Sequence, residues 1–388
     1  MPKPKPFPRK PAPIFRDLQH RPPGVYADVP AGEYHPDEAF SASKLRNLIV
    51  GPAYFWSQTR WNPAYAGDDD ATAAQISGQA HHTRHLEGPA VFAKRFAIPP
   101  RKSDYPDAVD GSAALKAACK ALGLKVTGTN PELMANLKAS GEFHGEFWLD
   151  IMDKWNAANA DKTKISEALL AEVELVAKVF EAHPSIGKLW ERGKPEVSIW
   201  WVNREGVPMR TRLDWWAPKE IIELKTVANA FRDNFNVKCT RTIAAEYYHV
   251  QTVIEREGVE AALQMPDDMW HGFTPEEVAA YKAGGLPDVR LLMMGKAAPD
   301  IYQRILAPEV PLDATHWADG RLVEGEIPRE PSTLWRSGEN IYAQIAARFA
   351  RGWEVFGREP WFDVSAPTGL TDREPGLSTW ALSREEEV

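Results

Sequence analysis

The chain has 388 residues, 44% of them apolar, and a formal net charge of −8. This is enough chain for a large core in one enlarged domain or two, and the negative balance argues against a protein that coats nucleic acid through its whole surface. Cys119 and Cys239 are the only cysteines and form no CxxC, which excludes a disulfide framework, a zinc finger and a cysteine-held iron–sulfur cluster.

Taken in order, residues 1–23 are proline-rich and basic (Lys3, Lys5, Arg9, Lys10) and read as a flexible leader, able at most to track a phosphate backbone. The opening "MPKPKPFPRKPAP" lacks the apolar stretch of a secretory signal, and no run approaches the ~20 apolar residues of a membrane helix, so a cytoplasmic protein without membrane contact is expected. Ser41 or Ser43 should open a helix over 42–60, and a second helix over 75–87 carries "HHTRH". Thr163 can cap a helix whose apolar residues Ile165, Leu169, Val173, Val176 and Phe180 fall at steps of three and four. Three strand-like runs follow, 196–202, 209–216 and 220–226, separated by "NREG" and "APK", so 196–226 reads as an antiparallel meander. The next helix, 241–257, should bury Ile243, Tyr247, Val250 and Ile254, with Tyr248, Gln251 and Glu255 on an adjoining face.

Side chains alternate along a strand. Arg210, Arg212 and Asp214 therefore share one face of the middle strand, and Glu223 and Lys225 share one face of the third, opposite Ile222, Leu224 and Thr226. Several charges on a half-buried face cost several kcal/mol unless paired or bound to a metal. Two explanations stand at this point: a Lys225 salt bridge to Asp214 or Glu223, or a hard-cation site in which the two acids supply oxygen ligands and Lys225 faces a water or a phosphate oxygen.

The spacing of Asp214 and Glu223-Leu224-Lys225 resembles the D…ExK core of the PD-(D/E)XK nuclease superfamily. "GVYADVPAGEYHPDEAFSASKLRNLIVGPAYF" (24–55), "GQAHHTRHLEGP" (78–89) and "AEYYHVQTVIE" (245–255) are similar, in the same order, to the motifs of the RecE (exonuclease VIII) group. "LLMMGKAAPDIYQRIL" and "IYAQIAARFARGWEVFGREPWF" loosely resemble its closing strand and helix. The resemblance implies an α/β fold of the restriction-endonuclease-like kind, a mixed central sheet with an antiparallel catalytic meander flanked by helices. It implies Mg2+ as cofactor, with Mn2+ as a substitute, held by His82, Asp214, Glu223 and the Leu224 carbonyl. Lys225 and Gln251 act with the two acids in catalysis, and Glu196 and Tyr248 support them. Two positions depart from the pattern: Glu255 stands where the group often has tyrosine, and Gly295 where its closing strand usually carries an acid.

By this reading 24–100 and 163–305 form the nuclease core, 306–388 a C-terminal strand and helix extension, and 101–162 a helical insertion. Within the insertion, 112–139 is similar to a SAP motif, a helix–loop–helix that binds duplex DNA, through Leu115, Cys119, Gly123-Leu124, Thr127–Thr129, Leu133 and Leu137, but Asn130 replaces the usual basic residue. A helical hairpin that only packs on the core is the alternative. DNA contacts are expected from Lys125, Thr127, Arg232, Lys238 and Arg241. His81 and His85, four apart, could hold zinc, yet His82 stands where a zinc protease needs its glutamate. The 15 tryptophans are expected mainly in the core, with one able to stack on an unpaired base. The expected function is a Mg2+-dependent 5′-to-3′ exonuclease on double-stranded DNA ends, producing 3′ overhangs for phage or prophage recombination. Its expected partners are a RecT-like single-strand annealing protein and copies of itself in a ring. A RecB-type nuclease preferring single strands and a catalytically silent DNA-binding module are the alternatives.

Overall fold

The computed structural model describes residues 6–8, 10–65, 72–184, 186–228, 234–296, 300–307, 313–318, 321–326 and 332–362. Runs rich in β-branched and aromatic residues form its centre, a sheet of strands β1 (Gly24–Tyr26), β2 (Lys194–Val202), β3 (Pro208–Ala217), β4 (Glu220–Val227), β5 (Trp270–His271), β6 (Asp288–Gly295) and β7 (Ile301–Leu306). Their spatial order is β5-β1-β2-β3-β4-β6-β7. The β2–β3–β4 meander is antiparallel, as is the β6–β7 pair, while β4 pairs with β6 in parallel, so the sheet is mixed. The fold is α/β with helices on both faces.

The β2–β3 turn shows how local chemistry fixes the meander. Asn203 Oδ1 accepts the backbone N–H groups of Glu205 and Val207 at 3.1 and 2.8 Å, and Gly206 takes the positive φ of 83° that closes the loop.

Eight helices matter for the site and its surroundings: α1 (Ala42–Val50), α2 (Ala73–His82), α3 (Gly111–Ala121), α4 (Asn130–Ser140), α5 (Glu167–Ala182), α6 (Phe235–Ala245), α7 (Tyr248–Leu263) and α8 (Ser332–Phe356). On one face α7 buries Val250 and Ile254 against Val197, Ile199 and Leu213. Its approach is close because residue 258 is glycine: a Cβ there would lie 2.9 Å from the Trp201 ring. On the other face α5 buries Val176 and Phe180 against Trp215, Ile222, Leu224 and Leu292.

Four expectations are corrected. Helix 241–257 is two helices, because Tyr247 adopts a left-handed φ of 55° between α6 and α7. Thr163 does not cap α5. It pairs with Phe96 in a short parallel bridge, and Ser166 caps the helix by accepting the Leu169 N–H at 3.1 Å. The leader is not free along its whole length: Ala12 N–H bonds Gly206 O at 2.9 Å, and Phe15 and Leu18 are buried in the main core. Lys10 is exposed, while Lys3, Lys5 and Arg9 lie outside the described residues. Helix 42–60 divides at Gly51 into α1, capped by Ser41, and Pro52–Ser57.

Residues 101–162 contain α3, α4 and a third helix, Trp148–Ala158. Leu115, Cys119, Leu133, Leu137 and Phe147 form a cluster of their own there, separate from the two sheet faces. The segment leaves and returns beside the Phe96–Thr163 bridge. No helix among the described residues is long and apolar enough to cross a membrane.

Candidate metal centre

The meander brings the acids together, but not by simple alternation. Leu213 and Trp216 both enter the core beneath α7, whereas Trp215 enters the opposite one, so β3 steps across its faces at Asp214. Glu196, between the paired residues Pro195–Trp215 and Val197–Leu213, stands across the β2–β3 ladder from Asp214, with a left-handed φ of 52°. Interrupted ladders of this kind re-aim side chains and recur beside active sites.

Backbone bonds then lock the carboxylates. Asp214 Oδ2 accepts the Leu224 N–H at 2.8 Å, and Glu223 Oε1 accepts the Asp214 N–H at 3.1 Å. Glu223, with no exposed surface, also accepts Lys225 Nζ and Gln251 Nε2 on Oε2, each at 2.8 Å. Lys225 Nζ lies 3.7 Å from Asp214 Oδ2 and 5.4 Å from the centre of the Tyr248 ring. Both explanations offered for the charges therefore have a place, because the salt bridge exists inside a cluster that can also take a cation.

Charge and burial oppose each other here. Burial, then Asp214, pushes the Glu223 carboxyl up to about 7 against the pull of Lys225. Burial, then Asp214, pushes Glu196 up to about 8 against Arg212. Burial also lowers the Lys225 ammonium, but Asp214, Glu223 and Glu255 outweigh it and hold that group well above the ordinary lysine range. Lys225 is thus a fixed cation in this form and not a base.

The histidine helix ends in a π-helical turn, Thr83–Glu87, immediately after His82. This turn separates the three histidines. His82 is partly exposed, its Nδ1 3.6 Å from Asp214 Oδ1. His81 is buried with Nε2 3.1 Å from Glu172 Oε1, and His85 packs on Phe180 with its pKa lowered by burial to about 3. His81 and His85 are therefore held in the packing between helices and do not face the acids.

Ligand atoms of His82, Glu196 and Asp214 all lie within 4.8 Å of one another. One imidazole nitrogen with two carboxylates is a donor set suited to a divalent cation such as Mg2+ or Mn2+, so these residues fit the metal that this fold implies. Glu196, read from the sequence as a supporting residue, is inside the set. Glu223 is instead engaged by Lys225, Gln251 and the Asp214 backbone. Glu255, expected on one helical face with Gln251 and standing where the motif often has tyrosine, is fully buried and accepts the second contact of Gln251 Nε2 at 2.5 Å. Its carboxyl is raised well above the ordinary range by burial, then by Glu223.

The residues expected to contact DNA are dispersed. Lys125 and Thr127 are exposed on the α3–α4 loop of the insertion, Lys238 and Arg241 lie on α6, and Arg232 lies outside the described residues. Arg210 and Arg212, sharing the acid's strand, brace the N-terminal segment: Arg210 bonds the backbone oxygens of Tyr34, His35 and Ala39, and both guanidinium groups lie over the Tyr34 ring. Trp200, Trp201 and Trp216 are fully buried, as core residues.

The mixed sheet and the Asp214, Glu223, Lys225 constellation on its meander are those of a PD-(D/E)XK core. Residues 136–269 match the family described as "PDDEXK-like domain of unknown function (DUF3799)". The matched span holds the meander, α7 and Glu196, and it excludes His82 and the motifs at 24–55 and 78–89. No curated protein matches the chain.

Proposed function

We propose that this protein is a Mg2+-dependent deoxyribonuclease that hydrolyses double-stranded DNA from its ends, 5′ to 3′, leaving 3′ overhangs. The observation that carries the hydrolytic part is the contact of Lys225 with both Asp214 and Glu223 beneath Tyr248 and Gln251. A bound divalent cation supplies Lewis-acid polarisation of the phosphate and a water of lowered pKa. Asp214, Glu223 and the Leu224 carbonyl would hold it, with His82 extending the site to a second ion. Lys225, kept charged by its three carboxylate neighbours, donates to an oxygen on which charge accumulates. Gln251 holds Glu223 in one orientation, and Tyr248 covers the ammonium on the α7 side.

A cleft of about 1270 Å³ beside α1 is lined by Lys44, Arg46, Arg60 and Arg210, with Asp37 and Glu38 also on its wall. The exposed Arg46 and Arg60 give that wall local positive charge, which favours a phosphate-bearing substrate, whereas Arg210 is buried and burial lowers Lys44 to about 7. The polarity, the end requirement, the ring of subunits and a RecT-like annealing partner rest on the motifs at 24–55, 78–89 and 245–255.

Linear duplex should disappear with Mg2+ while covalently closed circles persist, and a 3′-labelled strand should keep its label after its 5′ end is digested. Asp214→Ala should abolish digestion with the fold retained. Parental digestion by that variant overturns the site. Nicking of closed circles, or early release of the 3′ label, overturns the end requirement or the polarity.

A further inference from the structure

Glu196 is a poor structural residue where it stands. Its φ of 52° is a conformation that costs a non-glycine residue about 1–3 kcal/mol. It places a carboxylate across the ladder from Asp214, and like charges directly opposite on adjacent strands repel. The cationic neighbour that could offset this, Arg212, is 3.5 Å away and otherwise engaged by Ser198 Oγ at 3.0 Å, Val29 O at 2.7 Å and the Tyr34 ring. A residue that strains the backbone and adds repulsion needs another reason to be there.

Asp214 indicates that reason. Its Oδ2 faces Leu224 N–H and Lys225, while its Oδ1 faces His82. His82 approaches through Oδ1, and His82, Glu196 and Asp214 each offer a ligand atom within 4.8 Å of the others. Atoms bound to one Mg2+-sized ion stand at most about 4.2 Å apart, so the side chains must draw inward by at least roughly half an ångström where they are widest. His82 and Glu196 are both partly exposed and free to make that movement, and a cation between the three removes the repulsion.

We infer that Glu196 is a direct ligand, with His82 and Asp214, of a divalent cation on the Oδ1 side of Asp214, leaving Oδ2 and Glu223 to the position described above. The inference rests on the metal-dependent reading of this site but not on the choice of DNA as substrate.

The test is Mn2+ titration of the metal-stripped full chain by calorimetry, beside melting curves with and without Mn2+. Glu196→Gln should bind at least one Mn2+ ion tenfold or more weakly than the parent, and metal-free it should melt no lower. Glu87→Gln, a nearby acid outside the set, should bind as the parent does. Glu196→Gly, which suits the left-handed backbone, should be folded and should show a smaller Mn2+-induced rise in melting temperature than the parent. Parental Mn2+ affinity in Glu196→Gln, or a full Mn2+-induced rise in Glu196→Gly, overturns the inference. The two readings fail separately: a chain that binds Mn2+ through Glu196 but leaves DNA intact defeats the nuclease proposal alone. One that digests DNA while Glu196→Gln binds like the parent defeats this inference alone.

Discussion

The side-chain amide nitrogen of Gln251 is shared between two carboxylates, Glu223 Oε2 at 2.8 Å and Glu255 Oε1 at 2.5 Å. One donor group therefore fixes the orientation of Glu223 and gives the buried Glu255 a partner. Bonds that orient a ligating carboxylate are typically worth 10–100-fold in metal affinity or activity. Gln251→Ala should lower the digestion rate by roughly that factor. Glu255→Gln, which keeps an acceptor oxygen, should lower it less than Glu255→Ala. Equal rates for the two Glu255 variants in a steady-state digestion assay would contradict this role.

The histidines separate into one that faces the acids and two that serve packing. His81→Ala removes a buried ring bonded to Glu172 and should cost roughly 1–3 kcal/mol of stability. His82→Ala should unfold within about 0.5 kcal/mol of the parent, because its side chain is partly exposed, yet should lose Mn2+ affinity. Urea denaturation and calorimetry on both variants check this. Parental Mn2+ binding by His82→Ala would remove that residue from the metal set.

Glu257 on α7 accepts the Tyr342 hydroxyl of α8, and burial raises its carboxyl from 4.5 to about 7 in spite of that bond. A raised acid binds its proton more tightly in the folded state than in the unfolded one. Its contribution to stability is therefore complete below pH 4.5 and is lost as the pH rises through 7. Glu257→Gln, which cannot lose a proton, should gain on the parent in melting temperature between pH 5 and pH 8. A gap that stays constant over that range, measured in chelator, would show that the carboxyl does not titrate there.

The insertion can be examined by removal, because its two ends meet at the Phe96–Thr163 bridge and its cluster is its own. Deleting 105–160 with a short linker should leave Mn2+ binding and turnover at saturating DNA unchanged and weaken duplex affinity. Unchanged affinity across several salt concentrations would assign the segment a packing role.

The meander was legible because β-branched and aromatic runs, a turn asparagine and alternation are local signals, and they predicted β2, β3 and β4 closely. The Asp214, Glu223, Lys225 contact followed from the D…ExK spacing and from Glu223 and Lys225 sharing a strand face. The role of Glu196 did not. A left-handed glutamate in a strand opposes the propensity of its own residue type, and the step at Asp214 breaks the period from which faces are read. The α6–α7 break was hidden for the same reason, since Tyr247 carries no turn signature. Glu255 was read on the face beside the buried stripe of its helix, and its complete burial there depends on packing that the helical period does not report.

The covering of the sheet joins parts of the chain that are far apart in sequence. Phe15, Phe40 and Phe55 pack with Phe349 and Trp361, and Trp353 donates its indole N–H to Ile14 O at 2.6 Å, across 339 positions. During synthesis at roughly 5–20 residues per second, the strands bearing the acids emerge well before α8 can close over the early aromatics. For that interval a nascent chain presents a patch of phenylalanines to solvent beside an assembled meander. Chaperone demand and aggregation during expression should therefore depend on α8 far more than on the catalytic strands themselves.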